Sequence, residues 1–244
     1  MNEKEEKIQD RGISTDGGAV SWLENFWYHY KWHFIAGVVA FVILFVCIVQ
    51  SCSKREEDIL VVYAGPAYMS QAQLSSIVEV LGNNMPKDFD GNGDKFANID
   101  TFQIYSEEQI KKITAETDSE GNYGYVDRNL NSSNYDQYSK YILTGESSVY
   151  FLDRSLYETL RNNGRLCLLS DVLSQTPQGA LEDGYGVRLG DTKLYEDFAV
   201  MRVLPADTVV CLMKQYVGGK SSKDKYYLRE KEMFSALVGC TVKE

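Results

Sequence analysis

Histidine is nearly missing from this sequence. Its 244 residues include two, His29 and His33, and both lie beside a long apolar run near the N-terminus. Serine–histidine–aspartate, cysteine–histidine and histidine-rich metal chemistry are therefore excluded by inventory from residues 59–244. Cysteine is scarce as well, with five residues and no Cys-x-x-Cys unit, so neither a redox motif nor a zinc site is supported. Cys47 and Cys52 fall in or next to the apolar run, and Cys167, Cys211 and Cys240 lie in the body of the chain. Three is an odd number, and buried free thiols are the expected state, although an extracytoplasmic location would permit one disulfide. Basic residues are the minority: 25 Lys and Arg stand against 35 Asp and Glu, a net charge of -10. An acidic chain repels phosphate, which removes nucleic acid from the partners to consider. The remaining composition, 44% hydrophobic and 25% charged, is that of a globular protein and not of a disordered, collagen-like or disulfide-scaffold chain.

What is present begins with residues 34–49, FIAGVVAFVILFVCIV, a run without a charge or a strongly polar side chain. A helix rises about 1.5 Å per residue and needs about 20 residues to cross a hydrocarbon core, a length that residues 32–52 supply. Trp27, Tyr28, Tyr30 and Trp32 form an aromatic belt of the kind found at a headgroup interface, and Lys31 extends towards lipid phosphate. Lys31 precedes the run while Lys54 and Arg55 follow it, so local charge does not set the orientation. The short N-terminal tail favours an N-in arrangement with the large domain outside the cell membrane. Residues 49–52, VQSC, also look like a degenerate lipoprotein cleavage box, in which Cys52 would be acylated. The expected plan is a cytoplasmic tail with its juxtamembrane belt (1–31), a single transmembrane helix (32–52), a charged linker (53–58) and one extracytoplasmic α/β domain (59–244).

Within that domain strand-like and helix-like patterns alternate. Residues 59–64, ILVVYA, predict a buried strand ended by Gly65-Pro66. Residues 70–81 predict a helix capped by Ser70 and stopped by Gly82, and residues 99–105 a strand with one buried face. Ser106 and Gln109 form a capping-box pattern that opens a helix to about Glu116. Residues 118–134 are dense in Gly, Asn and Ser and predict an exposed loop, with a helix following over 135–143. Further on come a strand over 148–152, a helix over 155–161 ended by Asn163-Gly164, and a short apolar segment, extended or one helical turn, over 166–172. A hairpin or loop over 179–191, a strand over 208–213 and a closing helix over 226–238, with Leu228, Met233, Phe234 and Leu237 inward, complete the reading. No internal repeat is visible.

Residues 147–172, SSVYFLDRSLYETLRNNGRLCLLSDV, resemble a segment of the extracellular solute-binding proteins of bacterial ABC importers. In that family a strand ending in Leu-Asp leads into a helix and then a Gly-x-Leu-x-Pro-Leu-x-Asp segment, forming one side of the cleft between two lobes. Leu152-Asp153 and the run from Gly164 to Asp171 stand at those places, with Leu168 where Pro is usual. The strand and helix of 59–81 are similar to the family's first strand and helix. The resemblance implies one lobe of a periplasmic-binding-protein-like fold. The whole sequence is also similar to membrane-anchored proteins of Gram-positive anaerobes, through the stretch WYHYKWH at 27–33.

Three constellations could carry chemistry. Asp88, Asp90, Asn92 and Asp94 place oxygens at alternate positions around Gly93, the first half of an EF-hand-type calcium loop. Its twelfth position is Ile99 and not the bidentate Glu, so the plain reading is a polar turn, with calcium as the alternative. Tyr123, Tyr125, Tyr135, Tyr138 and Tyr141 could form an aromatic platform or simply cover a helix. The carboxylate pairs Glu107–Glu108, Glu182–Asp183 and Glu196–Asp197 could serve acid and base roles, but pairs arise by chance in so acidic a domain. The expectation is a non-catalytic binding or interaction module held at the lipid bilayer, with a membrane protein or a small solute as partner. A structural subunit of a membrane complex is the alternative, and a carboxylate hydrolase a more distant one.

Overall fold

The computed structural model describes residues 18–52, 57–116, 123–216, 218–219 and 223–243, with side chains over 26–49 in the first stretch. The linker residues 53–56, the tail 1–17, the centre of the expected loop at 117–122 and the side chain of Cys52 lie outside the described residues. Two compact units divide the chain, 1–55 and 56–244.

The first unit holds one helix, α1 (Gly18–Cys52). Within it Phe26–Val49 is long and apolar enough to cross a membrane, and none of that stretch is buried by protein. A signal sequence would meet the same criteria. At about 1.5 Å per residue, this stretch spans about 36 Å against a hydrocarbon core of about 30 Å. The helix begins well before the expected start at 32, so part of the expected solvated tail is helical. Once the apolar turns are formed, each further residue costs little to add, and the helix propagates through 18–31.

The second unit is a five-stranded sheet with helices on both faces. Its strands are β1 (Ile59–Gly65), β2 (Ala97–Gln103), β3 (Val149–Leu152), β4 (Gly186–Arg188) and β5 (Val209–Leu212). They lie in the order β2-β1-β3-β5-β4. β1 pairs in parallel with β2 and with β3, whereas β5 runs antiparallel to both β3 and β4. The central strands read as continuous apolar runs because both faces are covered. Val61, Tyr63, Val149, Phe151, Val210 and Leu212 point to one core, and Val62, Ala64, Tyr150, Leu152, Val209 and Cys211 to the other.

The first core is closed by α2 (Gln71–Asn83) and α8 (Asp224–Leu237), with the short α6 (Leu169–Val172) and α7 (Lys193–Asp197). The second is closed by α4 (Arg128–Thr144) and α5 (Arg154–Asn162). The remaining helix, α3 (Glu107–Ala115), follows β2 and buries Ile110.

Four expectations need correction. Gly82 does not stop α2 but lies inside it, because the carbonyl of Lys95 passes where a side chain would stand: a Cβ at 82 would be 2.8 Å from that oxygen. Residues 128–134 are not loop but the first turns of α4, capped by Asp127, whose carboxylate accepts from the N–H groups of Asn129 and Leu130. Leu228 is 49% exposed, and Arg229 and Glu230 are buried in its stead. β2 is an edge strand buried on alternating sides at Ile99 and Phe102, not on a single face.

Candidate functional site

The three parallel strands end side by side, and each leads towards a helix that begins with its own cap. Ser70 and Ser106 both form complete capping boxes, with Gln73 and Gln109 respectively, and Asp153 accepts from the N–H of Ser155. From central β1 the chain moves outward through α2 to β2, then returns across β1 to β3. Such a reversal leaves a crevice beyond the carboxyl ends of the strands, the usual place for ligands in open α/β sheets.

Hydrogen bonds join the strand ends into one rim. Ile104 N–H donates to Gly65 O at 2.9 Å and Asp153 N–H to Ala64 O at 2.8 Å. The Gln109 amide on α3 donates to Asp153 Oδ2 at 2.9 Å, tying the starts of α3 and α5 together. On the outer side, the Asn131 amide brackets the backbone of Tyr105, accepting from its N–H at 2.8 Å and donating to its carbonyl at 3.1 Å.

This rim encloses a cleft of about 380 Å³ between α3, α4 and α5. Ile104, Ile110 and Leu156 supply its apolar lining, and Ser132, Tyr135, Ser155 and Thr159 its polar one. A second hollow of about 150 Å³ shares Tyr105 and Asn131 with the first and is lined further by Tyr125, Leu130 and Asn134. The two form a groove that follows the first half of α4. A cleft of this volume lies at the lower end of the range of small-ligand sites.

Charge in the groove is sparse and mostly spoken for. Arg128 Nη1 lies 3.1 Å from a Glu107 oxygen, and both side chains are more than half exposed, so the pair is weakly held. Ser106 Oγ and Asp153 already accept from helix N-terminal N–H groups, and Glu107 and Glu108 occupy the first turn of α3. An anionic ligand would thus meet carboxylates and satisfied donors. Tyr135 is 43% exposed and its hydroxyl makes no hydrogen bond among the described residues.

Of the expected tyrosine platform, Tyr135 and Tyr125 line the groove, whereas Tyr138 is buried against Phe102, Tyr135 and Tyr150. Tyr141 donates its hydroxyl to Asp100 at 2.6 Å, and this bond, with burial second, pushes its pKa up to about 12. Tyr123 is exposed. The platform is therefore split between groove-lining and buried or hydrogen-bonded members.

The expected calcium loop is held by its own backbone. Asp88 accepts from the N–H groups of Gly91 and Gly93, both at 2.7 Å, and these bonds hold its carboxyl below the usual range. Asp90 accepts from Asn92, and Asn92 from Asp94 N–H. Asp88 and Asp90 do come together, and Asp58, which the sequence pattern did not mark, brings a third carboxylate so that the three oxygens lie within 4.8 Å. Asp58 is buried and accepts from Phe89, Asp90 and Phe96 N–H groups. Asp94 is not part of that group.

Among the carboxylate pairs, only Asp183 sits in a network. It receives the Tyr157 hydroxyl and Arg161 Nη1, both at 2.6 Å, and the Tyr185 N–H at 3.2 Å. Burial alone would raise its pKa, but these bonds and the guanidinium charge outweigh it and leave the carboxyl below the usual range. The network joins α5 to the segment before β4, and none of its residues lines the cleft, so it is a structural clasp.

Of the expected membrane-interface residues, Trp27, Tyr28, Tyr30 and Trp32 are exposed on α1, and Lys31 is half-buried. Cys47, Cys167, Cys211 and Cys240 are free thiols. Burial pushes the Cys167, Cys211 and Cys240 thiols up, which makes them poor nucleophiles.

No family model matches the chain, and no curated protein or solved structure is significantly similar to it.

Proposed function

We propose that the chain is a membrane-anchored, non-catalytic binding module whose α/β domain lies outside the cell membrane and takes a ligand in the groove along α4. The observation that carries this reading is the cleft itself: it lies at the carboxyl ends of the parallel strands and combines apolar walls with the exposed hydroxyl-bearing side chains of Ser132 and Tyr135. The groove offers no histidine or cysteine, and both of its carboxylates are engaged, Glu107 with Arg128 and Asp127 with the first N–H groups of α4, so neither stands as a free acid–base partner.

The likeness to a lobe of a solute-binding protein is part of the same proposal. It is supported by the order strand, Asp153, helix, Gly164 and helical turn over 149–172, and by Ser155, Leu156 and Thr159 of that segment lining the cleft. The N-in orientation is part of the same proposal. The proposal assigns the loop carboxylates to holding their own turn, since they accept from backbone N–H groups.

Hydrogen exchange of the full chain in lipid nanodiscs tests the reading, with amino acids, short uncharged peptides, neutral sugars and phosphorylated sugars added in turn. At least one uncharged ligand slows exchange over 104–110, 128–135 and 155–159. Protection confined to other segments, or none with any ligand, contradicts the proposal.

A further inference from the structure

We propose that His29 and His33 form a two-point clamp for a divalent transition-metal ion, zinc in particular, on the face of α1 at the start of its apolar stretch. These are the only two histidines of the chain, and they stand four residues apart. The structure places both within the continuous helix α1, and both are exposed. Residues four apart on a helix share one face, with Cβ atoms about 5–6 Å apart. Two imidazoles at that spacing reach one zinc ion at about 2.0–2.1 Å, the arrangement that makes a helical His-x-x-x-His pair a metal-binding unit.

The neighbouring residues fit the same purpose. The Tyr28 ring meets the His29 ring edge-on at 5.2 Å between centroids, and Tyr30 meets His33 at 6.2 Å, so each imidazole is steadied by an aromatic partner. Neither histidine is engaged by a carboxylate in an ion pair among the described residues, which leaves both ring nitrogens to the ion and water. The anchoring of α1 at the headgroup level is already served by Trp27, Tyr28, Tyr30 and Trp32, and does not account for the paired imidazoles. Borderline ions such as zinc, nickel and copper prefer imidazole, whereas calcium and magnesium prefer oxygen. With two protein ligands, the rest of the coordination shell is left to water of the interfacial layer.

Titration calorimetry of the full chain, prepared without a polyhistidine tag in phosphatidylcholine nanodiscs, tests the clamp with zinc chloride. One zinc per chain is expected, and His29→Ala or His33→Ala weakens it at least about tenfold. Asp88→Asn with Asp90→Asn leaves it unchanged, which separates the clamp from the acidic loop. Two register variants keep the histidine count and guard against a folding artefact. His33→Ala with Trp32→His moves the pair to three residues apart on the same face and retains zinc; His33→Ala with Phe34→His moves it to five apart and loses zinc. Equal zinc affinity in the native chain and in the double alanine variant overturns the proposal, as does full affinity in the five-apart variant.

Discussion

The side-chain amide of Asn131 pairs with both backbone groups of Tyr105, through Oδ1 to the N–H at 2.8 Å and through Nδ2 to the carbonyl at 3.1 Å. One turn along α4, Asn134 donates to Gln103 O at 2.9 Å. These amides stand where a neighbouring strand would otherwise pair with the end of β2. An edge strand with unpaired backbone groups invites association, and here a helix satisfies them. The same bonds fix α4 against β2 and so set the width of the groove.

Asn131→Leu keeps the branched shape and deletes both bonds, leaving a part-buried N–H and carbonyl without partners. A loss of about 1–3 kcal/mol is expected, read as a lowered midpoint in denaturant unfolding. Asn131→Asp keeps the acceptor but sets a carboxylate against the Tyr105 carbonyl, and is expected to be as costly as the leucine variant.

Gly82→Ala inverts a familiar rule. Inside an exposed helix this change usually stabilises by about 1 kcal/mol, but here the new Cβ would stand 2.8 Å from Lys95 O. Gly82→Ala is therefore expected to lower the unfolding midpoint. A raised midpoint would show that the segment at Lys95 yields freely.

Asp183 makes stability depend on acid. Its carboxyl is held below the ordinary value of 3.8 in the folded chain. The stability it contributes is therefore present above that value and is lost as pH falls through the lower folded value. Asp183→Asn should cost stability at neutral pH and flatten the decline below pH 4 in unfolding midpoints measured across the acid range. An unchanged acid profile would remove Asp183 from the clasp.

The loop over 88–94 should behave as a polar turn. Asp88→Ala removes the acceptor for two backbone N–H groups and is expected to lower the unfolding midpoint with or without calcium. Addition of calcium to the native chain should leave the midpoint where it is. A calcium-dependent rise that Asp58→Asn abolishes would instead assign a metal to the three carboxylates.

The parts of this fold that could be read in advance are those whose signal is local. β1, β3 and β5 announce themselves as short apolar runs because both their faces are buried, and the boxes at Ser70 and Ser106 mark helix starts with residues three apart. Most of the misreadings within the α/β unit involve distant partners. Asn131 and Asn134 look like loop residues until β2 is known to need their amides, and Gly82 looks like a stop until Lys95 is seen crossing above it. β4 is three residues long and is defined by its neighbour β5. The groove was half visible, as tyrosines at 125 and 135, but its far wall comes from α5 and no spacing in the sequence connects the two. Asp58 was hidden for the same reason, since its three N–H donors lie more than thirty residues away.

The central claim, that the cleft between α3, α4 and α5 is where a ligand sits, is tested most directly by thermal unfolding of the native chain and Ser132→Trp side by side. Both are measured in nanodiscs against uncharged solutes and peptides. A ligand at about 100 times its dissociation constant adds about 2.7 kcal/mol to stability, a readily measured rise in midpoint. The account predicts that rise for the native chain and its loss in Ser132→Trp, whose indole fills the cleft while the fold persists. An equal rise in both proteins would place the ligand elsewhere, and no rise in either would contradict the binding role.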